Sequence, residues 1–313
     1  MSLYPIHHTY SSVAFLRDTL AGSSYTTAWT QDASMLLTIL ERASRTVDAY
    51  VGDQTFGPTT ETRLYDLGGS QANGSLRYDP RPTRTNSLSL QSYAYRTSVL
   101  PLDRWLISAT TVTSYADTAR TSNDVLVEGI AQDYLLEPYN TSPKWRLKLN
   151  EDSTKAFGAG QQVFSILGTW GWQAVTTAAS TLSAAITSTT ALTIAVTAAG
   201  DHGPGVTILV GSEQMYCTSI DGTTLTVQRG VNGTTAATHS NGAAVSIWEY
   251  PSDVRMVTAD IARIQYRDRD MGMVETIGSG EQGTRTRGEA EVQSALMALD
   301  HYATARDSGG LVF

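Results

Sequence analysis

The stretch that decides the fold is Pro251–Gly272, with the sequence PSDVRMVTADIARIQYRDRDMG. It opens with a helix start, because Ser252 or Asp253 can accept hydrogen bonds from the free amides of the first turn. Gly272 supplies the stop, since glycine reaches the left-handed conformation without a steric penalty. The apolar side chains between them recur at helical spacing and form one stripe: Val254, Val257, Ile261 and Ile264. The pattern predicts an amphipathic helix that buries one face.

The strand that partners this helix stands much earlier in the chain. Val163–Leu167 indicates a largely buried strand, and Gly168–Trp172 indicates a turn after it. Neighbouring elements are ordinarily joined by short connections, so this strand and turn would lead directly into the helix. Residues 173–249 intervene instead. We therefore predict that an independent domain is inserted between them.

The overall composition limits the class of protein. The 313 residues can form two domains whose cores need no disulfide. Cys217 is the single cysteine, which excludes an intrachain disulfide and a cysteine-rich zinc site and favours a small apolar filler in a strand. Met1–Leu20 lacks a basic start followed by an apolar run, and no stretch is long enough to span a bilayer. We expect a soluble product made in the cytosol.

The charge balance argues against a surface that grips nucleic acid. The formal net charge is -8 and charged residues make up 17% of the chain, below the roughly 25% usual in globular domains. Such a surface repels phosphate backbones rather than binding them.

Two helices are predicted near the N-terminus. Tyr10–Leu20 is a short one, and a longer one starts at a cap provided by Thr30 or Asp32 and ends at Gly52. The longer helix has its apolar positions on one stripe: Leu36, Leu40, Ala43, Val47 and Tyr50. We predict that Leu36, Leu40 and Val47 pack against Val257, Ile261 and Ile264 to form a core.

The middle of the chain carries weaker signals. Residues 53–96 are polar, which is typical either of an extended arm that orders on assembly or of a mobile loop. Strand formers return at Leu106–Tyr115, and apolar side chains alternate with charged ones at Trp145–Leu149. These segments predict a short-stranded β element with one buried and one wet face.

The inserted segment differs in composition, since Thr, Ser, Ala, Gly and Val dominate it. Its strand-like runs are Leu192–Val196, Thr207–Val210, Gln214–Ile220, Thr224–Gln228 and Ala244–Trp248. Asp221-Gly222 is a strong hairpin signal, and the segment predicts an all-β barrel or sandwich. The expected fold class is α+β. A helical domain would comprise residues 1–172 and 250–313, and an inserted β-domain would comprise residues 173–249.

Candidate chemical motifs are few. Gly278–Gly283 matches the dinucleotide fingerprint as a string, but no βαβ unit follows, which favours a loop over a nucleotide site. His7 and His8 are adjacent and lack a third metal ligand. Trp170 and Trp172 suit either a stacking platform or, more commonly, the core. The sequence predicts no catalytic residue, no cofactor, no metal site and no enzymatic activity.

The C-terminal region supplies the predicted contact residues. Leu311, Val312 and Phe313 follow a Ser-Gly-Gly tether, so three apolar strand formers can add to the edge of a partner's sheet. The alternative is a frayed terminus without a role. Arg285 and Arg287 suit ion pairs between subunits better than contacts to nucleic acid in so acidic a chain.

Several segments, taken in order, resemble one protein family. They are Asp32–Leu37, Glu41–Gly52, Leu100–Leu102, Tyr134–Pro138 ahead of Trp145, and Trp170–Trp172 ahead of a proline-capped helix rich in arginine. Together they cover most of residues 1–172 and 250–270. In this order they resemble the head-to-tail connector proteins, also called adaptor or head-completion proteins, of long-tailed bacteriophages. The smallest members of that family lack the insert. Three segments of the insert resemble a small β-module spliced into various phage virion proteins: Gly211–Met215, Val227–Thr234 and Ala237–His239.

The resemblance implies an α-helical adaptor without catalysis or cofactor. Its copies would form a ring below the portal, twelve-fold to match it, that continues the DNA channel and receives the tail. The implied partners are the portal protein, a tail completion, stopper or terminator protein, other copies of the chain, and DNA that passes without sequence-specific binding. No membrane is implied, and the place is the phage neck after synthesis in the host cytoplasm. A binding module whose β insert recognises a carbohydrate or a host surface is the competing class, and an enzyme hidden from motif reading is a third.

Overall fold

The structure, a computed structural model, describes residues 7–20, 33–67, 99–155, 157, 160–199, 202–270 and 287–307. Its first elements are helices α1 (Val13–Leu20) and α2 (Ala33–Tyr50). The strands of a first sheet follow: β1 (Thr59–Leu67), β2 (Val99–Tyr115), β3 (Asn123–Leu126), β4 (Tyr134–Glu137), β5 (Lys144–Leu149) and β6 (Gly160–Trp170). The strands of a second sheet come next: β7 (Thr176–Thr181), β8 (Thr193–Ala195), β9 (Thr207–Val210), β10 (Glu213–Asp221), β11 (Thr224–Gln228) and β12 (Ala244–Trp248). The last described elements are α3 (Ser252–Asp270), α4 (Arg287–Leu296), a 3-10 turn at Met297–Leu299 and α5 (Asp300–Asp307).

Contacts along the chain separate two compact units. One unit is Thr60–Trp170, and the other combines Met1–Thr59 with Gly171–Phe313. The first unit holds the first sheet, and the second holds the second sheet and the helices. We call them the sheet unit and the barrel unit.

The sheet unit is organised by the long strand β2. The strand order is β1-β6-β2-β5-β4, and β3 also pairs with β2. Val99–Pro101 of β2 pairs with β5, whereas Val112–Tyr115 pairs with β3, so one edge of β2 serves two partners in turn. The core between these strands consists of fully or almost fully buried apolar side chains: Leu106, Val112, Leu147, Phe164, Ile166 and Trp170.

The second sheet closes on itself. Its strand order is β7-β12-β9-β10-β11-β8. An antiparallel bridge between Leu182 and Val196 joins the residues just after β7 and just after β8, which are the two ends of this order. The Ser183 amide donates to the Ala195 carbonyl at 2.9 Å beside the bridge. The resulting small barrel is filled by side chains such as Ile208, Val210, Met215, Cys217, Leu225, Val227 and Val245.

The helices of the barrel unit pack through the predicted stripes. Leu36, Leu40 and Val47 of α2 are fully buried. So are Val254 and Ile261 of α3, and the two helices are in contact. The predicted packing of these two stripes is confirmed. The described part of the chain has no helix long and apolar enough to cross a membrane.

The predicted fold class, an α+β protein with a helical adaptor core and a short β element, is wrong. The described residues are mostly β and form two antiparallel six-stranded sheets. Charged side chains on one face of β1, such as Glu61 and Arg63, made a strand resemble a polar arm. Register irregularities in β2 between Pro101 and Leu106 interrupt the period that identifies a strand.

Gly168 was also misjudged. It was predicted to start a turn, but β6 continues through it to Trp170. A Cβ on Gly168 would lie 2.5 Å from the Ser108 carbonyl oxygen. This glycine therefore permits close approach of two strands and does not mark a break.

Several predictions fall on residues outside the described ranges. These residues are Gly278–Gly283, Arg285, Leu311, Val312 and Phe313. Arg287 opens α4, but its side chain is not among those described. The second sheet runs from Thr176 to Trp248, and independent folding of residues 173–249 stays a prediction.

Candidate functional site

A buried carboxylate clamps the loops of the barrel. Glu213 at the start of β10 has no exposed side-chain surface, and it accepts hydrogen bonds from Arg229 Nε at 2.6 Å and Arg229 Nη2 at 2.7 Å. His239 Nε2 donates to it at 2.7 Å, and the amides of Gly230 and Ala237 donate at 3.1 and 2.9 Å. Burial alone would raise the pKa of Glu213, but these donors outweigh it and hold the pKa below its ordinary value.

Arg229 extends the same clamp to neighbouring loops. Its Nη1 donates to the carbonyls of Ser188 at 3.1 Å and Ala191 at 3.4 Å. Its Nη2 donates to the Ala237 carbonyl at 2.6 Å. A guanidinium engaged in this way holds chain segments together and is not available to a substrate.

A second polar cluster holds the N-terminal segment of the barrel unit. The buried His8 ring accepts from the Tyr250 hydroxyl at Nδ1, 2.9 Å away, and donates from Nε2 to the Pro58 carbonyl at 3.0 Å. These partners fix the neutral ring with its proton on Nε2. Burial, together with the smaller effects of Arg45 and His7, lowers the pKa of His8 to about 3. Arg45 also donates to the His8 carbonyl at 2.7 Å and pairs with Asp48 at 3.2 Å.

Asn232 links this segment to the barrel. Its Oδ1 accepts from the His7 amide at 2.8 Å, and its Nδ2 donates to Gln214 Oε1 at 2.9 Å. Gln214 in turn donates to the Pro58 carbonyl at 3.0 Å. Asn232 holds a left-handed φ of 55°, which asparagine tolerates better than most residues. The long-range partners of Asn232 could not be predicted from sequence spacing.

The sheet unit carries a different feature, an apolar side chain presented to solvent. We call residues 127–133 the Ile130 loop. Ile130 is 88% exposed. The loop is nevertheless well tied, because Asn150 Nδ2 donates to the carbonyls of Gly129 at 2.7 Å and Gln132 at 2.8 Å. Asp133 Oδ2 also accepts from the Val127 amide at 2.9 Å.

The barrel carries a small concave surface. A shallow groove of about 250 Å³ lies on the barrel, lined by alanine, threonine, serine and isoleucine side chains from Ala184 to Ala195 and by Thr224. Ligand pockets usually enclose about 300–1,000 Å³ and combine apolar with aromatic side chains. The groove therefore does not favour the alternative in which the insert binds a carbohydrate. The described residues include no group of His, Cys, Asp and Glu arranged for a metal.

The structure separates the residues that the sequence singled out. Trp170 is fully buried and donates from Nε1 to the Glu61 carbonyl at 3.0 Å, so it belongs to the core. Cys217 fills the barrel core as predicted. His301 Nε2 lies 3.3 Å from Asp253 Oδ2. Sequence reasoning missed Ile130, because the apolar run Val125–Val127 just before it does not reveal which of its side chains are exposed.

No family model matches this chain, and it matches neither a curated protein nor a solved structure. The candidate site therefore rests on geometry. The tied Ile130 loop presents an exposed apolar side chain, and the buried polar clusters connect the N-terminal segment and the barrel loops to the barrel.

Proposed function

We propose that this chain is a head-to-tail connector, a structural virion protein that forms a ring below the portal of a long-tailed bacteriophage. The ring extends the DNA channel and provides the surface on which the tail docks. Its partners are the portal protein, a tail completion protein and other copies of the chain. The proposal places the chain in the phage neck after synthesis in the host cytoplasm.

The observation that carries the proposal is the meeting of segments that resemble connectors. Helices α2 and α3 pack against each other although most of the chain separates them. The Trp172 amide donates to the Phe56 carbonyl at 3.3 Å, just after α2. A Cβ on Gly171 would lie 2.7 Å from the Gly57 carbonyl oxygen. The glycine between the two tryptophans therefore permits the close approach to residue 57. Segments that resemble the connector family but lie far apart in sequence thus come together in one packed unit.

The charge of the chain supports the same function. DNA moves through a channel only if its walls do not hold phosphates, and a net charge of -8 disfavours such binding. The proposed ring matches the twelve-fold portal. Leu311, Val312 and Phe313 are proposed to reach the portal or a neighbouring copy, and Arg285 and Arg287 to form contacts between subunits.

The test uses a phage that encodes this chain, with a stop codon placed early in its gene. We expect DNA-filled heads and free tails to accumulate unjoined, as counted by electron microscopy. Adding the purified full chain to this lysate should restore joined, infectious particles. Heads and tails that join normally without the chain would overturn the proposal.

A further inference from the structure

The residues before and within the Ile130 loop expose several apolar side chains. Val125 is 58% exposed, Val127 51% and Ile130 88%. Val125 and Val127 stand two positions apart in an extended segment and so project to the same side. Single exposed apolar residues are ordinary on protein surfaces. A run of them on one short segment indicates a surface that meets another molecule.

The backbone beneath these side chains is fixed. Asp133 donates its amide to the Val127 carbonyl at 3.0 Å, and the Gly129 amide donates to the Tyr134 carbonyl at 2.9 Å. Ser153 Oγ donates to Asp133 Oδ1 at 3.1 Å and adds a further tie. A surface that is ordered before binding loses little conformational entropy when a partner arrives.

The surroundings of the loop are acidic. The exposed carboxylates on or beside it are Asp124, Glu128, Glu151 and Asp152, with Asp133 partly buried. Lys155 is a cation near this segment, and its Nζ lies 2.8 Å from Asp124. A molecule that binds to the loop must therefore offer both an apolar contact and positive charge, which disfavours DNA and anionic lipid.

The chain itself offers a surface of that chemistry. Arg255, Met256 and Arg263 are exposed on α3. Positions 256 and 263 are two helical turns apart and share a face. Arg255 stacks over the Phe15 ring at 4.0 Å, which keeps its charge at the surface. Arg263 lies 3.1 Å from Asp260 in an exposed pair, which is weak and open to exchange. Methionine is flexible enough to accommodate an incoming isoleucine. We call these three residues the α3 face.

We propose that the Ile130 loop of one copy of this chain docks on the α3 face of a second copy. The two surfaces differ, so the contact is heterologous and repeats from copy to copy, which yields a ring where the rotation closes. The inference rests on the proposed function in assigning this contact to the ring. Glu128 then faces the arginines, and Ile130 packs on Met256.

A charge exchange tests the contact in the full-length chain. Sedimentation velocity over a range of concentrations reports self-association. Glu128→Arg places like charges in the contact, and so does Arg263→Glu, so each variant alone should associate about ten-fold more weakly or worse. In an equal mixture of the two variants, the loop of each variant and the α3 face of the other again carry opposite charges. The mixture should therefore associate like the original chain, and so should the double variant.

Apolar substitutions complete the test. Ile130→Ser should weaken association about ten-fold, while Leu192→Ser, at a 62% exposed position on the barrel, should not. Equal unfolding midpoints would show that the variants are folded. Association that ignores Ile130→Ser and both charge reversals would overturn this contact, as would a chain that stays monomeric up to about 1 mM. Ile130→Ser particles in which heads and tails still join would refute the contact while leaving the connector function standing.

Discussion

The two six-stranded sheets differ in how their edges are treated. In the barrel unit the bridge between Leu182 and Val196 brings the ends of the strand order together. In the sheet unit β1 and β4 end the order, and β3 pairs only with β2 among the described strands. Closed sheets have no edges to offer a partner, whereas open edges are places where chains meet. The strand order of the barrel therefore has no free end, whereas β1 and β4 are edge strands among the described residues.

A charged pair of the barrel is more deeply buried than a charged pair of the sheet unit. Glu213 and Arg229 in the barrel are 0% and 5% exposed, and both hold their partners in a closed network. Arg63 and Asp103 in the sheet unit are 15% and 51% exposed. A buried pair leaves an uncompensated charge when one member is removed, but solvent replaces a partner at an exposed pair.

The largest effect should come from breaking the buried pair. Arg229→Ala is expected to lower the free energy of unfolding by about 3–5 kcal/mol, because Glu213 then stays buried without its main partner. Urea unfolding of the full chain measures the loss. The matched variant Asp103→Ala should cost about 1 kcal/mol or less. Equal losses at the two sites would remove the distinction between the sheets.

A smaller effect is expected where two strands of the open sheet approach closely. Gly168→Ala places a Cβ 2.5 Å from the Ser108 carbonyl oxygen, so β6 and β2 must move apart. The expected cost is about 1–3 kcal/mol of unfolding free energy. Gly203→Ala in the barrel unit is the control, because a Cβ there meets nothing within 4 Å. A harmless Gly168→Ala would mean that the strand does end near this glycine.

The helices and the hairpin of this fold were accessible from sequence. The stripe from Leu36 to Val47 keeps its period because a helix surface repeats without interruption. Asp221-Gly222 marks the turn between β10 and β11 by local chemistry alone. Strand β2 was recognised only in part, since its irregular pairing breaks the alternation on which strand prediction depends. The clamp of Glu213, Arg229 and His239 was not predictable, because tertiary packing brings its members together from separate elements.

Acidification should act on the barrel unit before the sheet unit. All the histidines lie outside Thr60–Trp170. His8 has its pKa lowered from 6.5 to about 3, so the folded state holds fewer protons than the unfolded chain between these values. Stability is therefore complete above about pH 6.5 and falls as the pH drops toward 3. Burial lowers the pKa of His7 as well.

Urea midpoints between pH 6.5 and 5 test this expectation. The slope should be at most about 1.4 kcal/mol per pH unit for each histidine. His8→Phe should reduce the slope while lowering the overall stability. The lowered pKa of Glu213 acts in the same direction, but its loss of stability begins below its ordinary value of 4.5, outside this window. A slope unchanged in His8→Phe would mean that His8 is not the group that titrates.

The smallest effect on stability should come from replacing Ile130. Comparing this effect with the effect on association distinguishes a role in folding from a role in binding. At 88% exposure the side chain buries little apolar surface, so Ile130→Ser should change the unfolding free energy by no more than about 0.5 kcal/mol. Ile166→Ala, at a fully buried position of the same sheet, should cost about 2–5 kcal/mol. The loop keeps its shape in the variant because Asn150, Asp133 and Ser153 hold the backbone and not the isoleucine side chain. A loss above about 1 kcal/mol in Ile130→Ser would show that the side chain packs within its own unit. An unchanged stability together with weaker association would instead locate the role of Ile130 in a contact outside the folded monomer.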